Sequence, residues 1–171
     1  MIQTVTIRDA LPDDAAAVAA IYNHYVASTT ISMEDGPVAA DRMAARIADV
    51  QGANLPWLVL VGDGEVIGYA YASQWRARPG YRHAVEASVY VRAGAHGRGF
   101  GRALYDALLA RLHGRFHCVI GGIALPNPAS IALHERLGFR QVACFKEVGH
   151  KFGQWVDVGY WQLLLPYAGE A

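Results

Sequence analysis

Three short stretches of this 171-residue chain carry residue types at spacings that could do chemistry. In HGRGFG, His96 to Gly101, the glycines Gly97, Gly99 and Gly101 alternate with His96, Arg98 and Phe100, shortly after the strand-like VYV of Val89 to Val91 and shortly before the helical LYDALLARLH. Glycine lets a backbone come close to a ligand, and the amides of a first helical turn point at an anion. The loop therefore suits a pyrophosphate, with His96 and Arg98 adding local positive character; the plain alternative is that the glycines merely make a turn and both side chains are solvated. In NPASIALHERLGF, Asn127 to Phe139, a side-chain amide stands seven residues before His134, with Ser130 between them. Read singly, Asn127 and Ser130 are ordinary helix-cap or turn residues. In Trp75-Arg76-Ala77-Arg78 a guanidinium can hold a carboxylate through two parallel hydrogen bonds, which suits an amino-acid ligand. The plain alternative there is a solvated loop with two exposed arginines and a partly buried Trp.

Other chemistries fail on spacing or charge. A dinucleotide fingerprint counted from Gly97 or Gly99 places Arg102 or Leu104 where its last glycine belongs, and the loop lacks the Gly-Lys-Ser/Thr ending of a nucleotide-triphosphate loop. Fifteen basic and fifteen acidic residues cancel, so the broad positive field of a nucleic-acid binder is missing and any anion site must be local. Cys118 and Cys144 lack the paired spacing of a zinc site or a disulfide framework, so no metal is expected and both read as buried thiols. MIQTVTIRDALPDD has no basic segment followed by an apolar core, and no apolar window reaches the roughly 18 residues that cross a bilayer. These features predict a cytoplasmic protein away from the membrane.

The elements that must position these groups follow from periodicity and turn chemistry. VTIRDA reads as a strand, Pro12-Asp13-Asp14 starts a helix over the apolar run Ala15 to Tyr22, and a second helix covers Asp41 to Val50. Asp63-Gly64 between WLVLV and EVIGYAYASQW predicts an antiparallel hairpin. In HAVEASVYVR, Val85, Ala87, Val89 and Val91 share one face, and Glu86, Ser88, Tyr90 and Arg92 the other. Leu104, Leu108 and Leu112 line a helix, CVIGGIAL is a buried strand, NPASIALHERLG a helix closed by Gly138, and FRQVACFKEVG with WVDVGYWQLLL a last strand pair. The succession predicts an α/β (α+β) fold, a mixed and mostly antiparallel sheet flanked by helices, as one domain over residues 1–171.

With both motifs in hand, the chain resembles the GNAT superfamily of acetyl-CoA-dependent N-acetyltransferases over nearly its whole length. His96 to Gly101 matches the R/Q-x-x-G-x-G/A pyrophosphate loop, with His96 where Arg or Gln is usual, and Asn127 to Phe139 matches N-x-x-S/A-x-x-L-Y/H-E-x-x-G-F. IYNHYVASTT, YASQWRARPGYRHAVEASVYV and GHKFGQWVDVGYWQ resemble the phosphinothricin N-acetyltransferase branch, which acetylates the α-amine of phosphinothricin, methionine sulfoximine and related compounds.

The resemblance implies roles. An α-ammonium must lose a proton before it attacks a thioester, and Glu86 matches the family's general base. Backbone amides of Val89, Tyr90 and Val91 would hold the thioester carbonyl as negative charge develops. His134 stands where many relatives have tyrosine and is implied as acid or CoA contact, with Asn127 on the pantetheine arm and Ser130 in the same cofactor-binding segment. Trp75, Arg76 and Arg78 would bind the acceptor. A homodimer and a small amino-acid substrate are implied, with neither nucleic acid nor membrane as partner. The competing readings are a GNAT acting on a protein N-terminus or polyamine, and a non-catalytic CoA-binding domain.

Overall fold

The computed structural model describes residues 5–167. Residues 1–4 of the expected leaderless N-terminus, and both ends of the expected 1–171 domain, lie outside the described residues. The elements are β1 (Val5–Asp9), α1 (Ala15–Ser28), α2 (Ala40–Gly52), β2 (Trp57–Gly62), β3 (Glu65–Gln74), β4 (Ala84–Val91), α3 (Phe100–Leu112), β5 (Cys118–Ala124), α4 (Pro128–Arg136), β6 (Arg140–Lys151) and β7 (Gln154–Leu164). This is the expected succession. The first helix is longer than the apolar run Ala15 to Tyr22 suggested, because Asn23 to Ser28 continue it without a breaker.

The seven strands form one sheet in the order β1-β2-β3-β4-β5-β7-β6. β4 and β5 run parallel, while β1–β2, β2–β3, β5–β7 and β6–β7 are antiparallel, so the sheet is mixed and mostly antiparallel. Asp63 and Gly64 both have positive φ, 52° and 82°, the backbone that a two-residue turn between right-twisting strands needs. β7 returns between β5 and β6, leaving β6 at the edge, where its residues are largely exposed. The expected burial of both thiols is not met, and at Cys144 the edge position is the reason. Cys144 on β6 is exposed, and Cys118 is half-buried with its Sγ accepting from Gln162 Nε2 at 3.1 Å.

The chain divides into two compact units. One holds the residues up to His24, Gly36–Ala72 and Ser88–Arg111, and the other holds Tyr25–Asp35, Ser73–Ala87 and the residues from Leu112 onward. In the first, Leu58, Leu60, Ile67, Leu104 and Leu108 are buried, and a Cβ on Gly68 would come within 2.9 Å of the Tyr90 carbonyl oxygen and 3.0 Å of Leu104 Cδ1. Glycine there sets how closely β3, β4 and α3 approach. Tyr90 stacks on Tyr69 with centroids 5.3 Å apart and meets Tyr22 of α1 edge-on at 5.3 Å. The polar face expected for β4 is thus aromatic at this end.

In the second unit Trp161, Phe139 and Val119 are buried, and so is one charged side chain, Lys151. Its ammonium donates to the carbonyl oxygens of Val26 at 2.7 Å and Ser32 at 2.6 Å, tying the last turn of α1 and the segment after it to the end of β6. Charge-assisted hydrogen bonds made by a buried group are costly to remove. Lys151→Met, which keeps the stem and removes the charge, is expected to lower stability in urea denaturation by about 2 to 4 kcal/mol. An unchanged midpoint would show that the two bonds contribute nothing net.

Candidate active site

The glycine loop belongs to the first unit. β4 ends at Val91, Ala95 and Phe100 are buried, and His96 to Gly99 between them are exposed, so the loop is pinned at both ends and open in the middle. Gly97 and Gly99 have φ of 76° and 83°, and a Cβ at either would meet nothing within 4 Å. Glycine is required there by conformation rather than by crowding, and the loop stands just before a helix start. The Gly99 carbonyl accepts from Ala103 N at 3.0 Å, which makes Gly99 the residue that opens α3. Arg98 lies over the ring of Phe100 with Cζ 4.8 Å from its centroid, a stacking that keeps the guanidinium beside the loop.

Glu86, Trp75 and Arg76 belong to the second unit, and the structure brings them together. Glu86 is half-buried, in register with Ile120 across the parallel β4–β5 ladder, which registers only Ala84 to Glu86 of β4. Burial raises its carboxyl pKa above the ordinary value, while the charge of Arg76 pulls the other way. A carboxyl so placed takes a proton more readily than one in water, a property that a proton acceptor for an ammonium needs. Arg76 is exposed and lies over Trp75, Cζ 4.4 Å from the ring centroid, and Trp75 meets Tyr160 of β7 edge-on at 5.7 Å. Arg78 is exposed, and its backbone carbonyl accepts from Tyr81 N at 2.9 Å. Arg76 is thus the arginine of the pair that acts electrostatically on Glu86.

Asn127, Ser130 and His134 gather at α4 in the same unit. Asn127 Oδ1 accepts from Ser130 N at 3.1 Å, an N-cap of the ordinary kind, which leaves its Nδ2 to donate elsewhere. His134 is 3% exposed, and its Nδ1 lies 2.8 Å from the Ser130 carbonyl oxygen. A carbonyl only accepts, so Nδ1 carries the proton and Nε2 presents a lone pair. Phe139 meets the ring edge-on at 5.1 Å. On β5 a Cβ at Gly121 would lie 2.5 Å from His134 Nε2, whereas one at its neighbour Gly122 would lie 3.1 Å from Glu86 Oε1. Successive strand residues face opposite ways, so His134 and Glu86 lie against opposite faces of β5. The two glycines and Tyr160 escape a reading by motif, because their importance lies in cross-strand pairing. Among the described residues no group of three or more His, Cys, Asp or Glu is placed to hold a metal ion, and no helix is long and apolar enough to cross a membrane.

A mixed sheet with a half-buried carboxylate on its fourth strand, running on into an open glycine loop, describes an enzyme of the acyl-transferring class. Residues 7–159 match the family model described as acetyltransferase (GNAT) domain, and the chain belongs to that family. It is 43% identical over 154 residues to phosphinothricin N-acetyltransferase of Alcaligenes faecalis, covering 89% of this chain and 78% of that protein. It is 42% identical over 163 residues to L-methionine sulfoximine/L-methionine sulfone acetyltransferase of Salmonella typhimurium (strain LT2), covering 94% of this chain and 95% of that protein. The solved structure of yncA from Salmonella typhimurium with its cofactor acetyl-CoA superposes with a TM-score of 0.90 at 40% identity, covering 95% of this chain and 94% of that one.

Burial lowers the pKa of His134 below its ordinary 6.5, against the raising effect of its bond to the Ser130 carbonyl. As the pH falls below about 6.5 the unfolded chain takes up a proton that the folded chain refuses, so stability is lost from there down towards the lowered folded value. His134→Gln removes this titration. Its urea stability relative to the parent is expected to improve on going from about pH 7.5 to about pH 5.5. A constant difference between parent and variant would place the ring in a solvated environment instead.

Proposed function

We propose that this chain is a single N-acetyltransferase domain that moves an acetyl group from acetyl-CoA to the α-amine of a small amino-acid analogue of the phosphinothricin, methionine sulfoximine or methionine sulfone type, by direct attack within a ternary complex. The observation that carries this is Glu86: a half-buried carboxylate beside Arg76, on the strand that runs through Val91 into the glycine loop. The named activities of the relatives support the substrate class.

When bound, acetyl-CoA supplies an acetyl thioester activated towards amines. His96, Gly97, Arg98, Gly99, Phe100 and Gly101 would hold its pyrophosphate, the open glycines letting backbone amides approach. Asn127, with Ser130 beside it, would hold the pantetheine arm. Amides of Val89, Tyr90 and Val91 would donate to the thioester carbonyl. Arg76, presented by the Trp75 ring, binds the acceptor carboxylate, with Arg78 following in the same exposed turn. That pairing holds the α-ammonium near Glu86, which takes its proton and leaves a nucleophilic amine. His134, neutral and buried, suits a contact through the Nε2 lone pair better than proton donation, because its lowered pKa leaves little imidazolium near neutrality.

Purified protein is expected to release CoA thiol when acetyl-CoA is mixed with phosphinothricin or methionine sulfoximine, and not with a polyamine or a peptide N-terminus. Glu86→Gln should lower kcat by about 10²- to 10⁴-fold while acetyl-CoA binding by calorimetry is kept. Arg76→Ala should act chiefly by raising the acceptor KM. Turnover confined to the polyamine or peptide would overturn the substrate class, full turnover in Glu86→Gln the choice of base, and acetyl-CoA binding without turnover on any amine would favour a binding domain.

We also propose a cytoplasmic homodimer that covers the β6 edge. Val142, Phe145 and Val148 on β6 are 57%, 55% and 61% exposed, and Phe152 and Trp155 beside the turn are 59% and 64% exposed, an apolar edge that a second copy would bury. Two cysteines outside any disulfide suit a reducing compartment. Sedimentation equilibrium is expected to give twice the chain mass for the parent and the chain mass for Phe145→Glu. A monomeric parent would remove the dimer.

A further inference from the structure

Gly122 of β5 pairs with Tyr160 of β7, and Glu86 of β4 pairs with Ile120, two residues before Gly122 on the same face of β5. A Cβ at Gly122 would stand 3.1 Å from Glu86 Oε1 and 3.3 Å from Tyr160 Cε1. The volume a side chain would take is therefore where the carboxylate and the ring edge converge. Gly122 is not among the residues of positive φ, so its backbone gives no reason for glycine. Glycine inside a strand costs stability, and here the missing side chain is the feature being used. The Tyr160 ring is held from two sides, edge-on to Trp75 at 5.7 Å and 74° and edge-on to Phe145 at 5.6 Å and 81°. It forms a fixed wall.

We propose that Gly122 and Tyr160 are positioning residues for the acetyl-transfer reaction: Gly122 leaves the notch in which the Glu86 carboxylate lies, and the Tyr160 ring closes that notch to water. The inference rests on Glu86 being the base. Arg76, from the turn after β3, acts electrostatically on the carboxylate, and the Glu86 charge in turn acts on Tyr160 of β7; β5 carries Cys118, Ile120, Gly122 and Ala124 on this face. The Tyr160 hydroxyl stays neutral, because burial and then the Glu86 charge raise its pKa above the ordinary value, with Arg76 opposing. The wall therefore acts by excluding water rather than by charge.

The test is the pH dependence of kcat/KM, with separate kcat and KM, for the full chain and four variants acting on methionine sulfoximine or phosphinothricin. Gly122→Ala should lower kcat by about tenfold or more with the acetyl-CoA KM within about twofold, since the carboxylate is displaced and the cofactor site is not. Tyr160→Ala admits water to the carboxylate and should move the acid limb of the profile about one unit to lower pH, while Tyr160→Phe keeps the wall and the parent profile. A parent-like kcat in Gly122→Ala overturns the proposal, as does a Tyr160→Phe profile that matches Tyr160→Ala, which would assign the effect to the hydroxyl. If Tyr160→Ala fails to fold by circular dichroism, Gly122→Ala decides alone. Glu86→Gln separates the two levels: retention of the acid limb there refutes the base itself, whereas its loss together with a parent-like Gly122→Ala refutes only the seat.

Discussion

A carboxylate taken partly out of water is the constraint around which the second unit is organised. Burial alone would favour the neutral acid, and a neutral acid cannot accept a proton. Arg76 offsets part of that cost without a direct ion pair, because its guanidinium lies over the Trp75 ring instead of closing on Glu86. The same guanidinium is left exposed. Its charge favours the ionised form of Glu86 against the burial that disfavours it.

β5 divides the labour between its faces. Gly121 receives the ring of His134, with Trp161 buried as the cross-strand partner of Gly121 and Phe139 edge-on to the imidazole. Gly122 opens onto Glu86 and Tyr160 on the other face. Two consecutive glycines let a buried neutral imidazole and a poised carboxylate sit on either side of one strand without sharing an environment. Their pKa values move in opposite directions from the acid–base midpoint that each would have in water: the carboxyl upward, the imidazole downward, both because burial penalises the charged form.

The glycine loop answers a different demand, and it does so locally. With a net charge of zero the chain has no general attraction for anions, so an anion site would have to be local, of the kind that backbone amides at a helix start supply. Positive φ at Gly97 and Gly99 with open space beside them supplies the approach.

The sequence by itself determined the features that rest on local rules. The strand and helix succession, the Asp63-Gly64 turn, the two-faced pattern of β4, the helix start at Asn127 and the open loop at Gly97 and Gly99 all follow from periodicity, capping and φ preference over a few residues. Residue types at motif spacing also pointed to the family and to Glu86. Only the tertiary structure decided what depends on which strands become neighbours. The return of β7 between β5 and β6 placed Tyr160 opposite Gly122, turned β6 into an exposed edge that brings Cys144 to the surface, and set His134 on the far face of β5 from Glu86. The physical reason is range: turn and helix propensities act over a few bonds, whereas the desolvation that tunes Glu86 comes from groups dozens of residues away in the chain, joined to it only by the order of the sheet.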